Sequence, residues 1–215
     1  MPATWSDRAP LTGIVAVVLV ILAFVIGGET PDFDATGKEV LNFYADNEGS
    51  QFAASILLAY GALFLIFFAG ALRSVLRRSE PGTGGLSAVS FGGGVLMALG
   101  MLVFAGLGFT LADGHDKFEP ATAQTLNALN GDFFLPLAVG TSALMLGAGI
   151  AILRGGALPR WLGWAAVVIG VLAVTPVGFF AFLASGLWII VASVLLLRSP
   201  AAPTSAATPA SPGAP

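Results

Sequence analysis

Five long blocks of this sequence contain no Asp, Glu, Lys, Arg or His, and they constrain the fold more than any other feature. The blocks are residues 11–28, 52–72, 86–112, 133–153 and 161–197. A helix of about 20 apolar residues crosses a bilayer, because each residue adds about 1.5 Å towards a hydrocarbon thickness of about 30 Å. The blocks therefore predict an all-α membrane protein whose side chains are largely surrounded by lipid.

The last block is too long to form a single span. Residues 161–197 would extend about 55 Å as one helix, and Thr175-Pro176-Val177-Gly178 stands near their middle. The proline removes a backbone donor and the glycine permits a tight turn, so the block is predicted to form two helices. The result is a six-transmembrane-helix bundle within residues 1–198, with spans at about 11–28, 52–72, 86–112, 133–153, 158–174 and 177–197.

The composition agrees with a membrane environment and excludes several functional classes. Of the residues, 56% are hydrophobic and 10% are charged, whereas soluble domains carry about 25% charged residues. The net charge is −3 and no basic stripe is present, which argues against a nucleic-acid partner. Cysteine is absent, which excludes disulfides and thiol catalysis. No A-x-A cleavage site follows residues 11–28, so we expect an uncleaved first span rather than a signal peptide.

The basic residues predict the orientation of the bundle. Positively charged loops stay in the cytoplasm, and a cytoplasmic N-terminus brings seven of the nine basic residues to that side. They are Arg8, Arg73, Arg77, Arg78, Arg154, Arg160 and Arg198. We expect a bacterial inner (plasma) membrane protein with both termini cytoplasmic. Residues 199–215 lack charge and are rich in Pro, Ala, Ser and Thr, which predicts a disordered cytoplasmic tail.

Each of the two outer loops is predicted to contain a short amphipathic helix. Thr36 and Glu39 have the spacing of a capping box, and the following Val40, Leu41 and Tyr44 share one helical face. Pro120 suits the first turn of the second helix, on which Leu126 and Leu129 share a face. Phe33-Asp34 and Leu41-Asn42 recur as Phe118-Glu119 and Leu126-Asn127, at a constant offset of 85. A duplication of the first two spans and chance identity in apolar sequence both account for this recurrence.

Small residues predict where the helices pack. Burial of Leu gains little in lipid, so helices associate where small side chains let their backbones approach. Four-residue spacing of such residues occurs in the third, fourth and fifth spans, which are therefore predicted to form the centre. The residues are Ser90, Gly94 and Ala98; Ala143, Gly147 and Ala151; and Ala166 and Gly170.

The spans contain few groups that could do chemistry. Ion-coupled transporters and proton pumps place ionisable side chains within the membrane, and no predicted span core contains one. Hydroxyls such as those of Thr141, Ser185 and Ser193 are expected to bond to nearby helical carbonyls. No G-x-S-x-G, H-E-x-x-H or phosphate-loop motif is present, so we expect no enzymatic activity and no cofactor.

Two outer clusters have alternative interpretations. Asp113, His115, Asp116 and Glu119 follow the third span, and imidazole with carboxylates can share a divalent ion. Their spacing fits no established metal motif, which favours a solvated loop. Asn127, Asn130 and Asp132 could line an outer vestibule. Alternatively, Asn130-Gly131-Asp132 turns the chain and caps the fourth span, the interpretation that the sequence favours.

Two segments resemble known proteins. Residues 39–49 (EVLNFYADNEG), before the second span, and residues 158–164 (LPRWLGW), before the fifth, resemble uncharacterised multi-pass membrane proteins of actinobacteria, including domains of unknown function. The resemblance covers most of the chain up to Arg198. It implies a six-span inner-membrane bundle without an agreed activity, and it transfers no catalytic residue.

Three functions follow from these observations. The first is a non-enzymatic structural, interaction or accessory component of the cell envelope, whose partners are the lipid bilayer and other membrane proteins. The second is a passive carrier or channel for a small or lipophilic molecule. The third is an envelope enzyme that depends on the His115 cluster. A continuous polar cavity would favour the carrier, and a solid interior would favour the interaction role.

Overall fold

Helices dominate the part of the chain that the computed structural model describes, residues 8–132 and 134–198. Phe133 lies between two of them and outside the described residues, as does the predicted tail at 199–215. The helices are α1 (Leu11–Gly27), α2 (Gly37–Asp46), α3 (Glu48–Ser79), α4 (Gly85–Gly114), α5 (Pro120–Asp132), α6 (Phe134–Gly155), α7 (Arg160–Leu172) and α8 (Gly178–Arg198). The predicted all-α class is confirmed.

Four helical stretches are long and apolar enough to cross a membrane. They are α3, α4, the stretch Pro120–Gly155 that contains α5 and α6, and α8. The apolar helices α1 and α7 are shorter, at 17 and 13 residues, or about 26 Å and about 20 Å. The structure thus confirms a helical protein with four candidate membrane spans.

The fifth predicted span is shorter in the structure than its sequence-based bounds. Helix α7 begins at Arg160 rather than at 158 and ends at Leu172 rather than at 174. It begins late because Pro159, with an extended backbone, precedes it. It ends early because the Thr175 hydroxyl and backbone N–H both donate to the Leu172 carbonyl. The predicted break at Thr175–Gly178 is confirmed, since α8 begins at Gly178.

Glycines bring the backbones of α4 and α6 into direct contact. A Cβ at Gly147 would lie 2.6 Å from the Ser90 backbone nitrogen, and one at Gly100 would lie 2.8 Å from the Leu137 nitrogen. A Cβ at Gly140 would overlap the backbone nitrogen of Met97. Ala166 and Gly170 of α7 are buried beside α6. Close packing of the third, fourth and fifth spans is confirmed, but the centre is larger than predicted, since Leu65, Phe68 and Leu72 of α3 belong to the same core.

Helices α1 and α8 flank this centre. Helix α1 packs on α3, where a Cβ added at Gly61 would lie 3.0 Å from the Val20 side chain. Helix α1 also contacts α8, since a Cβ added at Gly13 would overlap the Ser193 hydroxyl. The Trp188 indole of α8 donates to the Leu162 carbonyl of α7 at 2.9 Å. The chain runs up and down through these helices, so the predicted arginines lie at one end of the bundle, named here the arginine end.

Helices α2 and α5 pack together at the opposite end, named here the α2–α5 end. The capping box at the start of α2 is confirmed, since the Thr36 N–H donates to Glu39 Oε2 at 2.8 Å and the Glu39 N–H donates back to Thr36 Oγ1 at 3.4 Å. Val40 and Tyr44 are buried in a second core with Leu111, Ala112 and Ala123. Gly37 lies against the Pro120 carbonyl, which leaves no room for a side chain there.

The buried face of α5 differs from the predicted one. Leu126 is half-buried, but Leu129 is 45% exposed, and the buried residues are Ala123 and Asn127. The buried residues Val40 and Tyr44 of α2 thus correspond in position to the buried residues Ala123 and Asn127 of α5, which lie 83 residues later in the chain. The offset of 85, which the sequence identities suggest, would instead pair the buried Tyr44 with the exposed Leu129. The duplication itself stays a prediction, with a different register in these two helices.

Candidate functional site

A cavity of about 210 Å³, named here the polar cavity, lies at the α2–α5 end. It is bounded by the end of α1, the segment that follows it, and residues of α2, α3, α4 and α5. None of the described residues that line it is Asp, Glu, Lys, Arg or His. Its hydrogen-bonding side chains are Thr30, Tyr44, Gln51, Ser55, Asn127 and Asn130.

Two side-chain amides hold the wall of the polar cavity in place. Gln51, in the first turn of α3, donates to the Gly27 carbonyl at 2.7 Å. Carbonyls at a helix end lack an intrahelical partner, so this bond satisfies the end of α1. Asn127 of α5 donates to the carbonyls of Asp32 at 2.9 Å and Pro31 at 3.3 Å. The segment between α1 and α2 is therefore tied to both α3 and α5.

Two polar atoms at the polar cavity have no hydrogen-bond partner among the described residues. They are the Tyr44 hydroxyl and Asn130 Oδ1. Tyr44 is 1% exposed, and a buried unpaired polar group costs about 1–3 kcal/mol. Groups left unpaired in a native fold call for an explanation, such as a bound water or ligand.

The state of Tyr44 fits a hydrogen-bond donor. Burial raises the pKa of the Tyr44 phenol to about 12, because the charged phenolate is poorly solvated there. The phenol therefore stays neutral at physiological pH and can donate, while Asn130 Oδ1 can accept. Together with the neutral lining, this arrangement can hold an uncharged hydroxyl or amide group, but it offers no countercharge to an ion.

The structure corrects the favoured interpretation of 130–132. Asn130 and Gly131 lie inside α5 and do not form a turn, because the helix continues to Asp132, whose side chain lies outside the described part. Asn127 and Asn130 instead line the polar cavity, as the vestibule interpretation requires. Sequence reasoning missed Gln51 and Ser55, although their four-residue spacing at the start of the second apolar block was the available signal.

The His115 cluster does not converge on one point. His115 Nδ1 lies 2.7 Å from the Ala112 carbonyl. The Lys117 ammonium lies 3.6 Å from Asp113 Oδ2 and 3.9 Å from Asp116 Oδ1, and all three side chains are largely exposed. Glu119 precedes α5, where its carbonyl accepts from Thr122 and Ala123. Across the described ranges, no three His, Cys, Asp or Glu side chains are grouped to hold a metal ion.

A second cavity of about 250 Å³, named here the apolar groove, runs between α1 and α8. Leu65, Met97 and Met101 form its floor. Among the described residues along it, Ser185 carries the one polar side chain, and its hydroxyl already donates to the Phe182 carbonyl at 2.6 Å. The apolar groove thus offers contacts only to hydrocarbon.

The buried hydroxyls within the spans mainly behave as predicted. Thr141 donates to the Leu137 carbonyl at 2.8 Å, and Ser185 bonds as described above. The Ser193 hydroxyl is the exception, since it is buried with no hydrogen-bond partner in the described part of the chain. It lies against Gly13 of α1.

Comparisons with protein-family models, with curated proteins and with solved structures find no match for this chain. The helix lengths and hydropathy indicate a membrane location and a multi-pass protein. Among the described residues, those around the polar cavity combine buried polar groups with space for a ligand.

Proposed function

We propose that this chain is a six-span, non-enzymatic protein of the bacterial plasma membrane that binds an uncharged polar group in the polar cavity, as an accessory component of the envelope. One observation carries the proposal: a cavity with a neutral, hydrogen-bonding lining retains two unpartnered polar atoms, on Tyr44 and Asn130. Ligand pockets combine a mainly apolar wall with a few such polar groups.

The lengths of α1 and α7 bear on the six-span topology. The 17 residues of α1 reach the lower end of the range of about 17–25 residues used by membrane helices. Helix α7 is too short to cross alone, but residues 173–177 extend the hairpin towards the α2–α5 end. Gly178, at its far side, lies beside the Phe134 ring, where an added Cβ would be 3.1 Å away. This contact supports a hairpin that reaches the level at which α6 begins.

The charge distribution supports the orientation. Arg73, Arg77 and Arg78 lie in the last two turns of α3. Arg154 lies in the last turn of α6, and Arg198 ends α8. Basic residues favour the cytoplasmic side, so the arginine end faces the cytoplasm and the polar cavity faces outward.

The passive carrier is the second candidate, and one observation separates the two. The described residues of α1, α3 and α4 that line the polar cavity lie towards the α2–α5 end of each helix. Further along α4, Gly93 meets the backbone of α6 at Ala143 and Leu144 without space for a side chain. This packing between α4 and α6 favours a binding role over transport.

A cysteine scan of this cysteine-free chain tests the proposal. Ser55→Cys places a thiol on the wall of the polar cavity, and Ser90→Cys is the matched control, because Ser90 is buried between α4 and α6 and donates to the Leu144 carbonyl at 3.2 Å. In intact cells, a membrane-impermeant maleimide should modify Ser55→Cys and spare Ser90→Cys. Glycerol should slow the modification of Ser55→Cys, and inorganic phosphate should not.

Two further variants calibrate the sidedness. Asp46→Cys should react in intact cells, and Arg77→Cys should react only after permeabilisation. Reaction of Arg77→Cys in intact cells would overturn the orientation. If Asp46→Cys reacts while Ser55→Cys does not, or if glycerol gives no protection, the binding role is wrong.

A further inference from the structure

The polar cavity and the apolar groove adjoin each other, since Phe24 forms part of the wall of both. Their volumes are about 210 Å³ and about 250 Å³. Each is smaller than the ligand pockets of about 300–1,000 Å³ that are usual in proteins, whereas the two together fall within that range. This comparison points to one ligand that occupies both.

The two compartments differ sharply in chemistry. The polar cavity has neutral side chains with two unpartnered atoms, and the apolar groove has a hydrocarbon wall whose one polar side chain is already bonded. A ligand that fills both must therefore carry an uncharged hydrogen-bonding group next to a flexible apolar chain. A phosphate or ammonium head would be placed in the polar cavity without a countercharge, which is costly at a buried site.

The apolar groove also has the direction of a lipid in a bilayer. Along α1 it extends from Phe24, at the α2–α5 end, to Ala16 near the middle of the helix, a distance of about 12 Å. Ile21, Leu183 and Leu187 on its rim are about half exposed or more, so the groove opens sideways to the surroundings of the bundle. A lipid of the outer leaflet points its head outward and its chain towards the bilayer centre in the same way.

We infer that the ligand of this site is a neutral amphiphile with a hydroxyl-bearing head, such as a monoacylglycerol, whose head binds in the polar cavity and whose chain lies in the apolar groove. This inference rests on the proposed function and names its ligand class. The head exchanges hydrogen bonds with the Tyr44 hydroxyl and Asn130 Oδ1. The chain passes Phe24 and lies against Leu65, Met97 and Met101.

Photo-crosslinking of the full-length protein in phosphatidylcholine nanodiscs tests the inference. The probe is a monoacylglycerol with a diazirine in its chain, compared with a lysophosphatidate that carries the same chain. The neutral probe should label peptides of α1 and α8 at least about tenfold more than the anionic probe, because the phosphate would lack a countercharge.

Gly186→Leu is the discriminating variant. A Cβ at Gly186 would make an ordinary contact with Val17 at 3.6 Å, so the chain can fold while the longer side chain fills the apolar groove. Gly92→Leu is the matched control, because nothing lies within 4 Å of a Cβ at that exposed position. Gly186→Leu should lower the labelling of α1 and α8 about tenfold, equivalent to about 1.4 kcal/mol of binding, and Gly92→Leu should leave it unchanged.

Each outcome decides between the inference and the proposed function. Equal labelling by both probes, or full labelling of Gly186→Leu, overturns the amphiphile even if glycerol still protects Ser55→Cys. In that case the polar cavity binds a small polar molecule without a chain. Failure of Ser55→Cys to react from outside overturns both.

Discussion

Helix α4 presents small residues along its length, yet its two regions make different use of them. In the middle, Gly93 and Gly100 meet backbone atoms of α6. Towards the α2–α5 end, Ala105 and Gly108 face the polar cavity, where a Cβ at Gly108 would be 3.2 Å from Ser55 Oγ. A run of small residues therefore does not by itself distinguish a tight contact from a cavity. Along α4 the unpartnered polar atoms distinguish the two regions, because the Tyr44 hydroxyl and Asn130 Oδ1, which have no partner among the described residues, belong to the lining of the cavity.

The largest expected effect concerns the backbone contact between α4 and α6. Gly140→Ala places a Cβ onto the Met97 backbone nitrogen, and backbone atoms cannot move aside as a flexible side chain can. We expect a loss of about 3 kcal/mol or more in the free energy of unfolding, measured as a lower thermal midpoint in detergent by size-exclusion chromatography. Gly92→Ala is the control, since its Cβ meets nothing within 4 Å. Equal loss in both variants would contradict the direct backbone contact.

The second effect concerns the buried phenol at the polar cavity. The pKa of Tyr44 is raised from 10.0 to about 12 in the folded protein, so the unfolded chain loses this proton more readily. The associated stability is fully present below about pH 10 and is lost as the pH rises to about 12, amounting to about 2–3 kcal/mol. The midpoint temperature of thermal unfolding should fall more steeply with rising pH in the wild type than in Tyr44→Phe. Parallel curves would show that Tyr44 is solvated.

A smaller effect concerns the wall of the polar cavity. Asn127→Ala removes the two bonds to the Pro31 and Asp32 carbonyls and should cost about 1–2 kcal/mol. Hydrogen exchange should accelerate between α1 and α2 and stay unchanged in α4 and α6. Asn42→Ala, on the exposed face of α2, serves as the control. If exchange is the same in both variants, Asn127 does not hold the segment.

The smallest effect concerns the cap of α2. Thr36→Ala removes the hydroxyl of the capping box and should cost about 1 kcal/mol, measured by thermal unfolding beside the exposed control Thr122→Ala. The Thr36 backbone N–H and hydroxyl hold the pKa of Glu39 below its usual value. Their contribution is therefore present above about pH 4.5 and declines as the pH falls further. No difference between the two threonine variants would mean that the cap is dispensable.

Several features of the fold could be predicted because they depend on nearby residues alone. The apolar blocks form helices, Thr36 and Glu39 cap α2, and Thr175-Pro176 separates α7 from α8. Capping, proline geometry and spacing along one helix each involve only a few consecutive residues. The α4–α6 contact could also be anticipated, because two glycine-bearing faces need no special partner to approach each other.

The amino-acid sequence by itself determined the helices, their order and the segregation of charge between the two ends. Only the tertiary structure decided which polar residues meet, since Asn127 reaches a segment 95 residues away and Gln51 reaches the end of a different helix. It likewise decided that α5 buries Ala123 and Asn127 and exposes Leu129. The physical reason is that a helix offers several faces of similar polarity. The neighbours that cover one of them lie far away along the chain.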